Sequence, residues 1–166
     1  MNPKEFSQLF IDLESQVKVE FGVRLPHEVG REAVSMYKKN FQNEGYFGVK
    51  WQEVNRRKTK TVRYKTKSGK LKTKETTVGK GKYGKRKILT GATGNLGRSI
   101  RYKVSPPGKV IIFSDLKYSA AHNEGTSSAG RNRNVIIPKR QFMGKHPNID
   151  SMVKQHIDNK MKGLFK

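Results

Sequence analysis

The chain has 166 residues, which suits a single domain, 1–166. Lys and Arg number 36 against 13 Asp and Glu, a formal net charge of +23, and hydrophobic residues make up 33% of the chain. This excess points to a polyanion or an acidic protein as partner. No cysteine is present, which excludes disulfides, thiol chemistry and a cysteine zinc site. No apolar run approaches the roughly 18 residues of a membrane span and the N-terminus lacks a signal-peptide core, so a soluble chain with no membrane partner is expected.

Asn2-Pro3-Lys4-Glu5 reads as a helix start, with Asn2 as cap, Pro3 at the first helical position and Glu5 closing a capping box. Phe6, Leu9, Phe10, Leu13 and Val17 recur at helical spacing and give that helix one apolar face. Gly22 is expected to stop it. Leu25-Pro26 then opens a second helix, with Val29, Ala33, Met36, Tyr37 and Phe41 on one side. Both faces are expected to pack on the domain's own sheet or on each other, the other outcome being a docked partner. Tyr46, Phe47 and Trp51 follow, and Trp51 reads as a core anchor rather than a base-stacking platform.

From Asn55 to Lys87 the composition changes. This stretch holds fifteen Lys or Arg against one acid, Glu75, a net +14 that leaves +9 for the rest of the chain. Its only hydrophobic residues are Val62, Tyr64, Leu71, Val78 and Tyr83. Thr59–Lys65 and Leu71–Val78 read as a polar β-hairpin turning at Lys67-Ser68-Gly69-Lys70, and Gly79–Gly84 as a flexible linker. The folded module is thus interrupted by a basic insertion, either a solvated loop or a phosphate-binding arm. As an arm, its candidate contacts are Arg56, Arg57, Lys58, Lys60, Arg63, Lys65, Lys67, Lys70, Lys72, Lys74, Lys80, Lys82, Lys85, Arg86 and Lys87.

Beyond the arm, Gly91, Gly94 and Gly97 allow tight turns. Arg101–Val104 and Val110–Phe113 form a β-hairpin around Ser105-Pro106-Pro107-Gly108-Lys109. Tyr118 to Glu124 suits one or two helical turns ended by Gly125, and a Ser, Gly and Asn loop carries Arg131 and Arg133. Val135-Ile136-Ile137 is a candidate buried strand ended by Pro138. A last helix begins at Asn148, with an apolar stripe of Ile149, Met152, Val153, His156, Ile157 and Met161. The fold class expected is α+β: two N-terminal helices and one C-terminal helix packed on a small, mainly antiparallel sheet, with an inserted basic hairpin or flexible arm.

Three runs inside the second half carry a recognisable pattern: Thr93-Gly94-Asn95-Leu96 with Ser99-Ile100, Tyr118 through Gly125, and Ile137-Pro138-Lys139-Arg140-Gln141-Phe142-Met143-Gly144. In order and spacing they resemble the phage virion morphogenesis, or tail completion, proteins. Phe41 to Gly45 followed by Trp51 resembles the segment before that family's central strands. Ser119, Lys139 and the long basic stretch depart from the pattern. The motif positions are Trp51, Gly94, Leu96, Tyr118, His122, Gly125, Pro138, Arg140, Phe142 and Gly144. The resemblance implies a structural, non-catalytic protein of the head-tail joining or tail-completion region of a phage or prophage. It further implies a homo-oligomeric ring around the DNA channel, located in the virion and assembled in the host cytoplasm. Its partners would be other tail or connector proteins and double-stranded DNA. The competing class is a free-standing, sequence-nonspecific nucleic-acid-binding protein.

Catalytic signals are weak. Ile88 to Gly97 imitates the glycine turn of a dinucleotide site, with Asp115 at a ribose-binding distance. Yet Lys85-Arg86-Lys87 stands where a buried first strand should be, and too little chain follows to complete that fold. No HExxH, GxSxG or acid pair is present, so no cofactor, metal or catalytic residue is assigned. His122 is expected to hydrogen-bond locally and His156 to be a packed or interfacial residue.

Overall fold

The computed structural model describes residues 2–106 and 108–164. Helix α1, Pro3–Val19, starts as its sequence dictates: Asn2 Oδ1 accepts from Lys4 N–H at 3.2 Å, and Glu5 Oε2 accepts from Asn2 N–H at 3.0 Å. Gly22 does not stop it. The chain continues through a π-helical turn, Glu20–Arg24, directly into α2, Leu25–Asn43, and the backbone stays right-handed throughout the junction. The cause is Pro26. It has no N–H for the carbonyl of Gly22, and its ring would crowd that carbonyl in an ordinary turn. The wider turn relieves this, with Leu25 N–H bonding Glu20 O five residues back.

The two halves of this helical rod have different fates. α2 carries the core face, with Leu25, Ala33, Tyr37 and Phe41 all buried. α1 contributes no buried residue; Phe6 and Phe10 are 52% and 55% exposed, with their rings 4.9 Å apart. The expected packing of both apolar faces therefore holds for α2 and fails for α1. Only the end of α1 comes alongside the last helix, α6, Pro147–Leu164, where Gln16 and Val19 share a cleft with Asn159 and Leu164. Lys160 of α6 locks onto the rod through Glu20 at 3.0 Å and Glu28 at 2.9 Å, and His156 reaches Glu32 at 2.7 Å.

The α+β class is as expected, but the strands do not merge into one sheet. They form four separate antiparallel ribbons: β1 Gly45–Tyr46 with β2 Val49–Lys50, β3 Thr59–Lys65 with β4 Leu71–Thr77, β5 Ile100–Ser105 with β6 Lys109–Ser114, and β7 Thr126–Ala129 with β8 Val135–Ile137. The β5–β6 ribbon lies against α2. Approach is close because Gly30 faces the ring of Tyr102, where a Cβ would come within 2.3 Å. β8 corrects a second expectation. Among the described residues it pairs only with β7, so Val135 and Ile136 are 50% and 74% exposed while Ile137 is partly covered. The short helix α5, Ser119–Glu124, ends at Gly125 as the sequence indicates; its φ is +78°, and a Cβ there would meet Lys139 N at 2.8 Å.

The centre of the core is Phe142, fully buried against Phe41 at 5.1 Å between ring centroids, with Trp51, Ile88, Leu96, Ile100 and Met152 around it. The segment that delivers it, Arg140 to Gly144, belongs to no strand. Its backbone is satisfied by other elements. Trp51 Nε1 donates to Gln141 O at 2.8 Å, Asn40 Nδ2 to Phe142 O at 3.1 Å, and Tyr37 OH to Gly144 O at 2.6 Å. Asn123 Oδ1 accepts from Phe142 N–H and Met143 N–H, and His122 O accepts from Arg140 N–H. Phe142→Ala should lower unfolding free energy by roughly 3–5 kcal/mol, the range for a large aromatic removed from a core, and denaturant titration measures it. An unchanged midpoint would contradict this placement.

Candidate functional site

The basic insertion is built as a stem and a projecting blade. At the stem, the Arg57 guanidinium bonds Glu44 Oε1 at 2.6 Å, and Ile88 N–H bonds the same oxygen at 2.5 Å. Burial works against the charge on Glu44, but these two donors outweigh it and hold its pKa below the usual carboxylate value. Arg56 Nη2 donates to the carbonyls of Arg86 and Lys87, and the Arg56 and Arg86 guanidiniums flank the Tyr83 ring at 5.6 and 6.0 Å. Lys87 Nζ donates to Gln42 O at 2.8 Å. Gly79 to Gly84, expected as a flexible linker, is instead folded back: Gly79 N–H bonds Arg56 O at 2.8 Å, Thr77 Oγ1 donates to Gly79 O, and α3, Gly81–Lys85, follows. Glycine content signalled freedom there, but small residues also let two chain segments approach closely.

The blade is the β3–β4 hairpin, close to the expected strands, and its Thr66 to Lys70 loop contains the expected turn residues. Every residue from Thr59 to Thr76 of the two strands is exposed. Lys60, Lys72 and Lys74 share one face with Val62 and Tyr64; Arg63 and Lys65 lie on the other with Glu75, and Lys67 and Lys70 sit at the tip. Of the fifteen candidate residues, Arg56, Arg57, Arg86 and Lys87 are thus fastened to the fold. Lys58, Lys60, Arg63, Lys65, Lys67, Lys70, Lys72, Lys74, Lys80, Lys82 and Lys85 are exposed, and among the described residues none of them forms an ion pair. Lysine, a mobile point charge, therefore dominates the free set, with Arg63 its one arginine.

The motif residues meet elsewhere. Leu96, Tyr118, His122 and Arg140 line one pocket of 310 Å³, together with Arg56 and Thr93. Arg140 is 8% exposed and donates Nε and Nη2 to Gln52 O at 3.2 and 3.1 Å. Burial lowers its pKa, the Arg56 charge lowers it further, and Glu53 acts against both. His122 packs edge-on to Tyr118 at 5.9 Å. The expected local hydrogen bond is not made by its ring at Nδ1: that atom is buried without a partner, as is Arg56 Nε. The bonds at this position come from its backbone. Sequence reasoning placed Arg56 with the DNA-binding set and Arg140 with the structural motif; their meeting across a shared pocket had no sequence signal, because 84 positions separate them.

Among the described residues no group of His, Asp or Glu gathers as a metal ion would need, and no helix is long and apolar enough to cross a membrane. Comparison with models of known protein families, with curated proteins and with solved structures finds no match.

Burial, then the neighbouring Arg140, lowers the pKa of His122 from its ordinary 6.5. The unfolded chain therefore binds this proton more readily than the folded one. Stability is retained above the unfolded value and falls as pH drops below it, levelling off once the folded group also titrates. Thermal unfolding of His122→Asn between pH 7.5 and 5 should show a smaller loss of midpoint than the parent chain. An equal loss in both would place the acid sensitivity on other groups.

Proposed function

We propose that this chain is a structural component of a tailed phage or prophage, of the head-tail joining or tail-completion kind, which assembles with copies of itself into a ring around DNA. The observation that carries the reading is the division of the molecule into a small core and two projecting elements that lack partners of their own. α1 presents Phe6, Leu9 and Phe10 to solvent, and the β3–β4 hairpin presents unpaired cations. The motif residues that resemble the tail-completion family lie in and beside the core, with Phe142, Leu96 and Trp51 buried in it. Such a core suits a role in holding two contact surfaces in place.

The occupant of α1 is a second copy. Its apolar stripe is flanked by Asp12, which forms no ion pair among the described residues, and by Glu5 and Glu14, already used by the Asn2 cap and by Lys18; in a chain whose net charge is +23, another copy offers cations to meet Asp12. The occupant of the hairpin is duplex DNA. Lysines spread over both faces and the tip neutralise phosphates without reading bases. The competing reading, a free nonspecific DNA-binding protein, is favoured by the hairpin alone and leaves α1 unexplained.

Two measurements test this. Native mass spectrometry of the full chain should give a closed oligomer, and Phe6→Ser/Phe10→Ser should shift it to monomer with little change in unfolding midpoint. A monomeric parent chain that binds DNA tightly would support the competing reading. If about six phosphates are neutralised, log K for duplex DNA should fall with log salt at a slope of roughly −5. Replacing Lys60, Lys72 and Lys74 by Gln should flatten that slope by roughly 3. A slope that survives the substitution would move the DNA contact away from the hairpin.

A further inference from the structure

We propose that the pocket between Arg56, His122 and Arg140 binds a phosphate group, either free or as an ester. Two guanidiniums and an imidazole line a cavity of 310 Å³ that contains no carboxylate. Neither Arg56 nor Arg140 has an acidic side chain within 4.0 Å among the described residues, and each lies close enough for Arg56 to depress the pKa of Arg140. A cation that is 8% exposed beside a second cation is costly unless something of opposite charge neutralises it. Glu53, whose charge acts on Arg140, forms its ion pair with Arg57 instead, at 3.4 Å.

The donors are also incompletely used. Gln52 O takes Nε and Nη2 of Arg140, which leaves Nη1 without a hydrogen bond among the described residues. Arg56 Nη2 is taken by two carbonyls, while its Nε is buried with no partner. His122 Nδ1 is buried in the same condition. The three side chains that line the cavity come from three separate stretches of chain rather than from one planar fork. A tetrahedral oxyanion with several acceptor oxygens fits that arrangement better than a carboxylate with two. The cavity lies at the lower end of the range for small-molecule sites, enough for a phosphate with a modest substituent. This inference stands apart from the virion reading and from the hairpin.

The test uses the full chain in a phosphate-free buffer. Inorganic phosphate is titrated against sodium chloride at equal ionic strength, with the His122 ring resonance followed by NMR and heat by isothermal titration calorimetry. A saturable one-to-one isotherm, a phosphate-specific shift of the His122 resonance and a higher unfolding midpoint are expected. Arg56→Gln should weaken binding at least tenfold while the His27, His146 and His156 resonances stay in place; if that variant fails to fold, Thr93→Val should weaken binding severalfold. A duplex oligonucleotide forms the second arm. A His122 shift that free phosphate reverses identifies a backbone phosphate as the source, and a shift with free phosphate alone identifies a small phosphate. The proposal is overturned if neither probe moves the His122 resonance, if chloride moves it equally, if acetate binds as well as phosphate, or if Arg56→Gln binds as tightly as the parent chain. A changed DNA salt slope would leave the pocket result untouched, so the two readings fail separately.

Discussion

A five-residue strap with no strand partner governs this structure. Arg140 to Gly144 crosses the middle of the core, where a peptide group without a hydrogen bond is strongly destabilising. Among the described residues no ribbon pairs with it, so side chains supply most of its hydrogen bonds, the backbone carbonyl of His122 taking Arg140 N–H. Tyr37 and Asn40 reach it from α2, Trp51 from the segment after β2, and Asn123 from α5. Tyr37, Asn40 and Asn123 are held by their helices and Trp51 by its own N–H on Glu44 O at 2.9 Å, so the strap binds together parts of the chain that share no sheet. Phe142 then fills the space between them.

That arrangement explains the sheet that did not form. The strands of this chain are short and separated by glycine and proline turns, and the hydrogen bonds that would join ribbons are made instead by Asn, Tyr and Trp side chains. It also explains why β8 leaves Val135 and Ile136 uncovered. The backbone turns inward after Ile137 to become the strap, and the preceding strand is left at the rim with β7 as its sole neighbour.

Local signals were legible and distant ones were not. The Asn2-Glu5 cap, the β3–β4 and β5–β6 hairpins and the α5 turn ended by Gly125 all follow from residues within a few positions of one another. Trp51 was legible as a core anchor, but the exposed rings of Phe6 and Phe10 show that aromatic type alone does not decide burial. Three features were hidden. The helix continues through Gly22 because a π turn accommodates Pro26, which depends on ring geometry rather than propensity. The apolar stripe of α1 looks the same in sequence whether it meets the core or a neighbour. The pocket joins Arg56 to Arg140 across a stem fastened to the end of α2 through Arg57 and Glu44.

The way the hairpin leaves the core has a consequence for how such a chain can vary. Its two ends are already joined, Val78 N–H to Lys58 O at 2.9 Å, before the first rung of the ribbon. Everything beyond that rung is therefore a graft on a closed base. Adding or removing residues in cross-strand pairs would change the reach by about 3.3 Å per pair. Changes of two pairs preserve which side chains share a face, and the entropic cost of a longer loop rises only slowly. The hairpin can thus be lengthened or shortened without any residue of the core having to change.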